Sequence, residues 1–272
     1  GAGSIYGGSS TFSTLRVIGN EAAGEAGGLQ ISSNSTLQIS DGLFQGNSSL
    51  GGSSAGGGAI RIYDSNQGTG TEQIDISDSQ FIGNRAFNGA GILQEGGDLT
   101  LSDSAFVGNE STSPNTGGGA GLYLTGATAS LMRVEVRENL GTGTNFNGGG
   151  LYASNQTLDV QQSRFIGNQS RHGGAIHLTG SGTYSLSHIE LSGNSAVDGG
   201  GLFAAGQTSI DFHHGRIVGN TAVNNGGGMF LTVSAPTQLE HLSVVGNEAT
   251  VGGAMQIASS TASVNVLSLT NS

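Results

Sequence analysis

The chain has 272 residues, of which 51 are glycine, 2 are proline and none is cysteine, and its formal net charge is −11. All eight basic residues are arginines scattered along the chain, which excludes the concentrated basic face that nucleic-acid phosphates require and works against docking on anionic membranes. Disulfides and thiolate metal sites are excluded, and no apolar run is long enough to cross a bilayer, so no membrane insertion by this segment is expected.

Taken in chain order, one pattern keeps returning. A Gly/Ser-rich opening carries Ile5 and Tyr6, the expected start of a first turn. A short apolar strand then ends at Gly19-Asn20. The same ending recurs at Asn47, Asn84, Asn109, Asn139, Asn168, Asn194, Asn220 and Asn247. Glycine precedes each of these asparagines except Asn139, which follows Glu138. The spacings run from 25 to 37 residues, a period that suits a coil of several short strands and is too short for a propeller blade.

Alignment on the asparagines predicts three strands per turn. Ten and eight residues before each asparagine stand alternating apolar pairs such as Ile74/Ile76, Leu99/Leu101, Leu158/Val160, Tyr184/Leu186 and Ile210/Phe212, which read as a first strand with one inward face. Three residues before it comes a second inward position: Phe44, Phe81, Phe106, Val136, Phe165, Leu191, Ile217 and Val244. Gly-Asn then turns the chain, because both residues tolerate positive φ. A small residue and a glycine run lead into a third strand with inward Leu29, Ile60, Ile92, Leu122, Leu151, Ile176, Leu202, Met229 and Met255. Insertions at 48–58, 63–73, 110–120 and 140–149 predict surface loops, the usual carriers of function. Asn271 fits the register poorly.

The expected fold is therefore all-β: a right-handed parallel β-helix of about ten three-stranded coils, forming one domain over residues 1–272. The chain reads as a fragment or an uncapped repeat unit of a larger assembly. The asparagines are expected to stack at one corner as a hydrogen-bonded ladder.

Three turns contain Gly-Gly-Ala followed by Ile or Met, at Gly57–Ile60, Gly173–Ile176 and Gly252–Met255. Four contain Phe-x-x-Asn, at Phe44–Asn47, Phe81–Asn84, Phe106–Asn109 and Phe165–Asn168. The alternation of these motifs over nearly the whole chain resembles the passenger domains of chlamydial polymorphic membrane proteins and related β-helical autotransporter adhesins. That resemblance implies a surface-displayed, adhesin-like protein. The sequence departs from the pattern in having Gly-Gly-Gly as often as Gly-Gly-Ala and in lacking cysteine.

Stacking turns sequence positions into columns. The residue after each third-strand inward position is expected to face solvent; that column reads Gln30, Arg61, Leu93, Tyr123, Tyr152, His177, Phe203, Phe230 and Gln256, with Tyr6 as a further starting member. An exposed stripe of rings from Tyr123 to Phe230, with Leu93 beside it, is the candidate binding surface. A second column, six residues before each asparagine, reads Thr14, Asp41, Asp78, Asp103, Arg133, Gln162, His188, His214 and His241 and sits at a bend. Its aspartates are weak candidates for calcium and its histidines for a transition metal; no cofactor is otherwise expected.

No catalytic constellation stands out. Arg133 beside Asp103 and Glu135, with Arg137 close by, is the one arrangement that resembles a polysaccharide lyase or hydrolase. The leading expectation is an extracellular or cell-surface, non-catalytic, adhesin-type binding module whose partner is a protein or glycan surface. The alternatives are a subunit that stacks on copies of itself, end to end, into a fibre, and a carbohydrate-active enzyme.

Overall fold

The computed structural model describes residues 2–51, 56–64, 72–113, 117–125 and 128–258, together with the backbone of Ala262–Asn265 and Ser268–Thr270. Asn271 and parts of the insertions at 48–58, 63–73 and 110–120 lie outside the described residues.

The chain folds as an all-β parallel solenoid of about nine turns. Every named element is a strand. One turn illustrates all of them. Leu151–Ser154 is a third strand, Thr157–Gln161 the first strand of the next turn, and Arg164–Ile166 its second strand; Asn168 follows, and Ile176–Thr179 begins the round again. Each strand pairs in parallel with its equivalents one turn away: Leu158 lies between Ala129 and Tyr184, and Phe165 between Val136 and Leu191. First and third strands make one continuous 18-stranded sheet bent around a corner, because the opening strands Gly3–Phe12 and Leu29–Ser40 run through both positions. Second strands make a 10-stranded sheet. Two-residue pairings just after the asparagines, such as Arg85–Ala86 on Glu110–Ser111, add a short further side that the spacing did not anticipate.

The core is the stack of inward positions. Ile76, Leu101, Val160, Leu186 and Phe212 are fully buried, as are Phe44, Phe81, Phe106, Val136, Phe165, Leu191, Ile217 and Val244. Phe44, Phe81 and Phe106 stack face to face, with centroids 4.9 and 4.4 Å apart. The small-residue position faces inward too, so Ser49, Ala86 and Ser111 are buried.

The asparagine corner is a continuous ladder. From Asn20 to Asn247, each side-chain amide donates to the Oδ1 of the next asparagine at 2.9–3.0 Å. That oxygen also accepts the backbone N–H of the same neighbour, as in Asn139 N–H to Asn168 Oδ1 at 3.0 Å. The amide's second proton reaches back to a second-strand carbonyl of the turn behind, as in Asn168 Nδ2 to Val136 O at 2.9 Å. An amide side chain carries both donors and acceptor on one short stem, so it alone satisfies this buried corner at every level.

Candidate functional site

The ring column is in the register the sequence predicts. Arg61 pairs with Leu93, Leu93 with Tyr123, Tyr123 with Tyr152, Tyr152 with His177, His177 with Phe203 and Phe203 with Phe230. Consecutive rings touch: Tyr123–Tyr152 at 4.8 Å, Tyr152–His177 at 5.3 Å, His177–Phe203 at 4.8 Å and Phe203–Phe230 at 5.4 Å, the last edge-on. Gln30 and Gln256 flank the run.

Two expectations about this column need correction. It is not openly exposed: Leu93 and His177 are buried at 3% and 5%, and Tyr123, Tyr152, Phe203 and Phe230 are half-buried. The cause is the glycine run before each third strand, which doubles back over the rings. A Cβ on Gly56 would lie 2.1 Å from Leu93 and one on Gly118 would lie 2.8 Å from the Tyr152 ring, so the segment passes close over the column at both places; the equivalent position in other turns holds Asn88, Asn147, His172 and Asp198. Nor does Tyr6 begin the column. Gly3 pairs with Leu29 and Ser4 with Gln30, leaving Tyr6 opposite Ser32 and exposed.

The doubling-back segment carries polar side chains of its own. Asn147, His172, Asp198 and Asn225 each stand just before a glycine run and are paired in sequence from turn to turn. His172 Nδ1 meets Asn147 Oδ1 at 2.8 Å, His172 Nε2 lies 3.5 Å from Asp198 Oδ2, and Asn225 Nδ2 donates to Asp198 Oδ1 at 2.7 Å. The His172 ring packs on Phe203 at 5.2 Å. A half-buried polar ladder therefore runs beside the aromatic stripe. Sequence reasoning passed it over, although the signal was available: in each case the residue directly precedes Gly148, Gly173, Gly199 or Gly226.

Burial sets the charge state here. The Tyr123 and Tyr152 phenols are pushed above their ordinary range by desolvation. Desolvation also lowers His172, with Asp198 pulling the other way. His177, enclosed and with no partner for Nδ1, is pushed down to about 3 and stays neutral at physiological pH. At the N-terminal end of the column the rings give way to charge. Buried Arg61 spans Glu25 at 2.6 Å and Glu95 at 2.7 Å and lies over Tyr63.

The second column is a backbone device. Asp41, Asp78, Asp103, Arg133, Gln162, His188, His214 and His241 all have φ between 49° and 54°, each forming a one-residue left-handed corner between first and second strands. Arg133 grips Asp103 with two bonds, Nε–Oδ1 at 2.6 Å and the second guanidinium nitrogen to Oδ2 at 2.7 Å, and this holds the Asp103 carboxyl below the usual carboxylate range. The aspartate run thus ends against a cation. Further along, the His188, His214 and His241 rings stack in parallel at 4.8 Å per step. His213 stands edge-on to this stack, with its Nδ1 3.1 Å from that of His214.

Glu135 and Arg137, the remaining members of the lyase-like arrangement, sit on a second strand and pair with each other at 2.9 Å. Glu135 begins an alternating surface ladder, Glu135–Arg164–Glu190–Arg216, with separations of 3.8, 3.4 and 3.0 Å. A groove of about 660 Å³ runs along the short side in the C-terminal half, lined by Ser195, Val197, Thr221, Val223, Glu248 and Thr250 among others.

Comparison with family models, with curated proteins and with solved structures found no match. The parallel solenoid and its asparagine ladder therefore stand on the geometry itself.

Proposed function

We propose that this chain is a non-catalytic, adhesin-type binding scaffold of the cell surface or extracellular space, and that a glycan or protein surface lies along the column from Tyr123 to Phe230. The observation that carries this reading is the juxtaposition of a half-buried ring stripe with the Asn147–His172–Asp198–Asn225 ladder on rigid, repeating backbone. Ring edges offer apolar contact at low entropic cost, while amide and carboxylate groups beside them supply directional hydrogen bonds, the combination that sugar rings and peptide surfaces take. The motif resemblance to β-helical autotransporter passengers supports the location.

The test is binding of the folded chain to arrayed glycans and immobilised extracellular proteins, wild type against a Tyr152→Ser/Phe203→Ser double variant. At least about a tenfold loss of affinity is expected, since two half-buried rings supply much of the contact. Because these rings also stack on neighbours, Asp198→Asn serves as a second variant that keeps the packing and changes the polar ladder. Absence of any binding by the wild type, or full binding by both folded variants, overturns the reading.

A further inference from the structure

The histidines at the corner column carry an inference independent of the ring stripe. We propose that His188, His213 and His214 form a three-imidazole site for a borderline divalent transition metal of the Zn²⁺, Ni²⁺ or Cu²⁺ type.

Each of the three offers a ring nitrogen within 4.8 Å of the others. The Nδ1 atoms of His213 and His214 are 3.1 Å apart. Two nitrogens bound to one ion at about 2.0–2.1 Å, with an angle near 100°, sit at about that separation. Adjacent residues of a strand normally point to opposite faces. Here the strand Ser209–His213 ends at His213, and the left-handed corner at His214 (φ 54°) brings the next ring to the same side. His188 comes from the turn behind, at an equivalent corner with φ 53°, and its N–H donates to the His213 carbonyl at 3.2 Å. The ligands are thus mounted on consecutive rungs tied by a backbone bond, and because the His188 and His214 rings stack in parallel at 4.8 Å, one of these exposed rings turns about its side-chain torsions when both bind one ion.

Neutral imidazoles suit these metals better than calcium or magnesium, which take oxygen ligands. His188 and His214 are exposed and His213 half-buried, so water can complete the coordination sphere. Glu240, in register with His213 one turn on, adds negative charge that offsets a dication. His241 stacks on His214 at 4.8 Å but lies outside the triad, so the site is not the stack of three that the column alone predicts.

Calorimetric titration of the whole chain with ZnCl₂ near neutral pH tests this, with His213→Ala, His188→Asn and His241→Asn as variants and circular dichroism to verify folding. Asparagine tolerates the left-handed corner, so the two corner substitutions preserve the turn. One ion per chain is expected, with affinity falling at least about tenfold in His213→Ala and His188→Asn and less than about threefold in His241→Asn. Spin-resonance spectra of the Cu²⁺-loaded wild type should show three nitrogen ligands. Absence of stoichiometric binding, unchanged affinity in His213→Ala, or an equal loss in His241→Asn overturns the proposal.

Discussion

Glu138 occupies a corner that glycine fills in every other rung of the asparagine ladder. Its φ of 57° matches the 59–66° of Gly19, Gly46, Gly83, Gly108, Gly167, Gly193, Gly219 and Gly246. A Cβ at most of those glycines would meet open space, so the cost of a side chain here lies in the backbone and not in packing. The exposed Arg137–Glu138 pair at 3.3 Å returns little of it. Glu138→Gly is therefore expected to stabilise the fold by about 0.5–1 kcal/mol, after the larger chain entropy of glycine is set against the relieved strain. A denaturant midpoint equal to or below that of the wild type would contradict the strain account.

At the scale of the strand column, His177 is the informative member. Its neighbours in register are Tyr152 and Phe203, and its own ring is enclosed with Nδ1 unpartnered. The folded pKa of about 3 lies below the ordinary histidine value, so the unfolded chain takes up this proton first as pH falls. The associated stability is fully present above about pH 6.5 and is lost progressively from there down towards pH 3. Between pH 7.5 and pH 5 the loss amounts to about 2 kcal/mol. His177→Phe, which continues the phenylalanines of the column, should remove that share of the pH dependence. Parallel slopes of melting temperature against pH in wild type and variant would show that His177 is not protonated on unfolding in this window. The column also marks how far the sequence could be read. Its register was legible because Leu93, Tyr123 and Tyr152 hold one offset from inward residues whose spacing is fixed. Its burial was not legible, because the cover comes from the position that holds Gly56, Gly118, Asn147 and His172, residues that look like plain turn formers until the path of the bend is known. His213 escaped for a related reason, since a strand neighbour of His214 points the other way unless the corner is left-handed.

For the molecule as a whole, stability is a sum over neighbouring turns, and the asparagine ladder is the line that joins them all. An interior rung serves three levels at once. Removing the Asn168 side chain deprives Asn139 of the acceptor for both its backbone N–H and its amide, and leaves the Val136 and Asn194 acceptors without its donor. These groups are buried, and each unpaired one costs about 1–3 kcal/mol, so Asn168→Ala is expected to destabilise by about 3 kcal/mol or more. Asn20, half-exposed and with no asparagine of an earlier turn donating to it among the described residues, should cost about 1 kcal/mol or less on the same substitution. Equal losses at the two positions, measured by chemical denaturation, would mean that the rungs act separately.

The left-handed corner between first and second strands repeats with nearly constant φ while its occupant passes from aspartate through arginine and glutamine to histidine. Because none of these corners depends on glycine, their geometry belongs to the backbone and the side chain is left free to vary. The molecule therefore possesses a straight outward row, advancing by about 4.8 Å per turn, in which acidity, basicity or ligand chemistry can be rewritten one position at a time without disturbing the interior. Mutational drift along such a row would alter what the rod touches long before it altered how the rod stands.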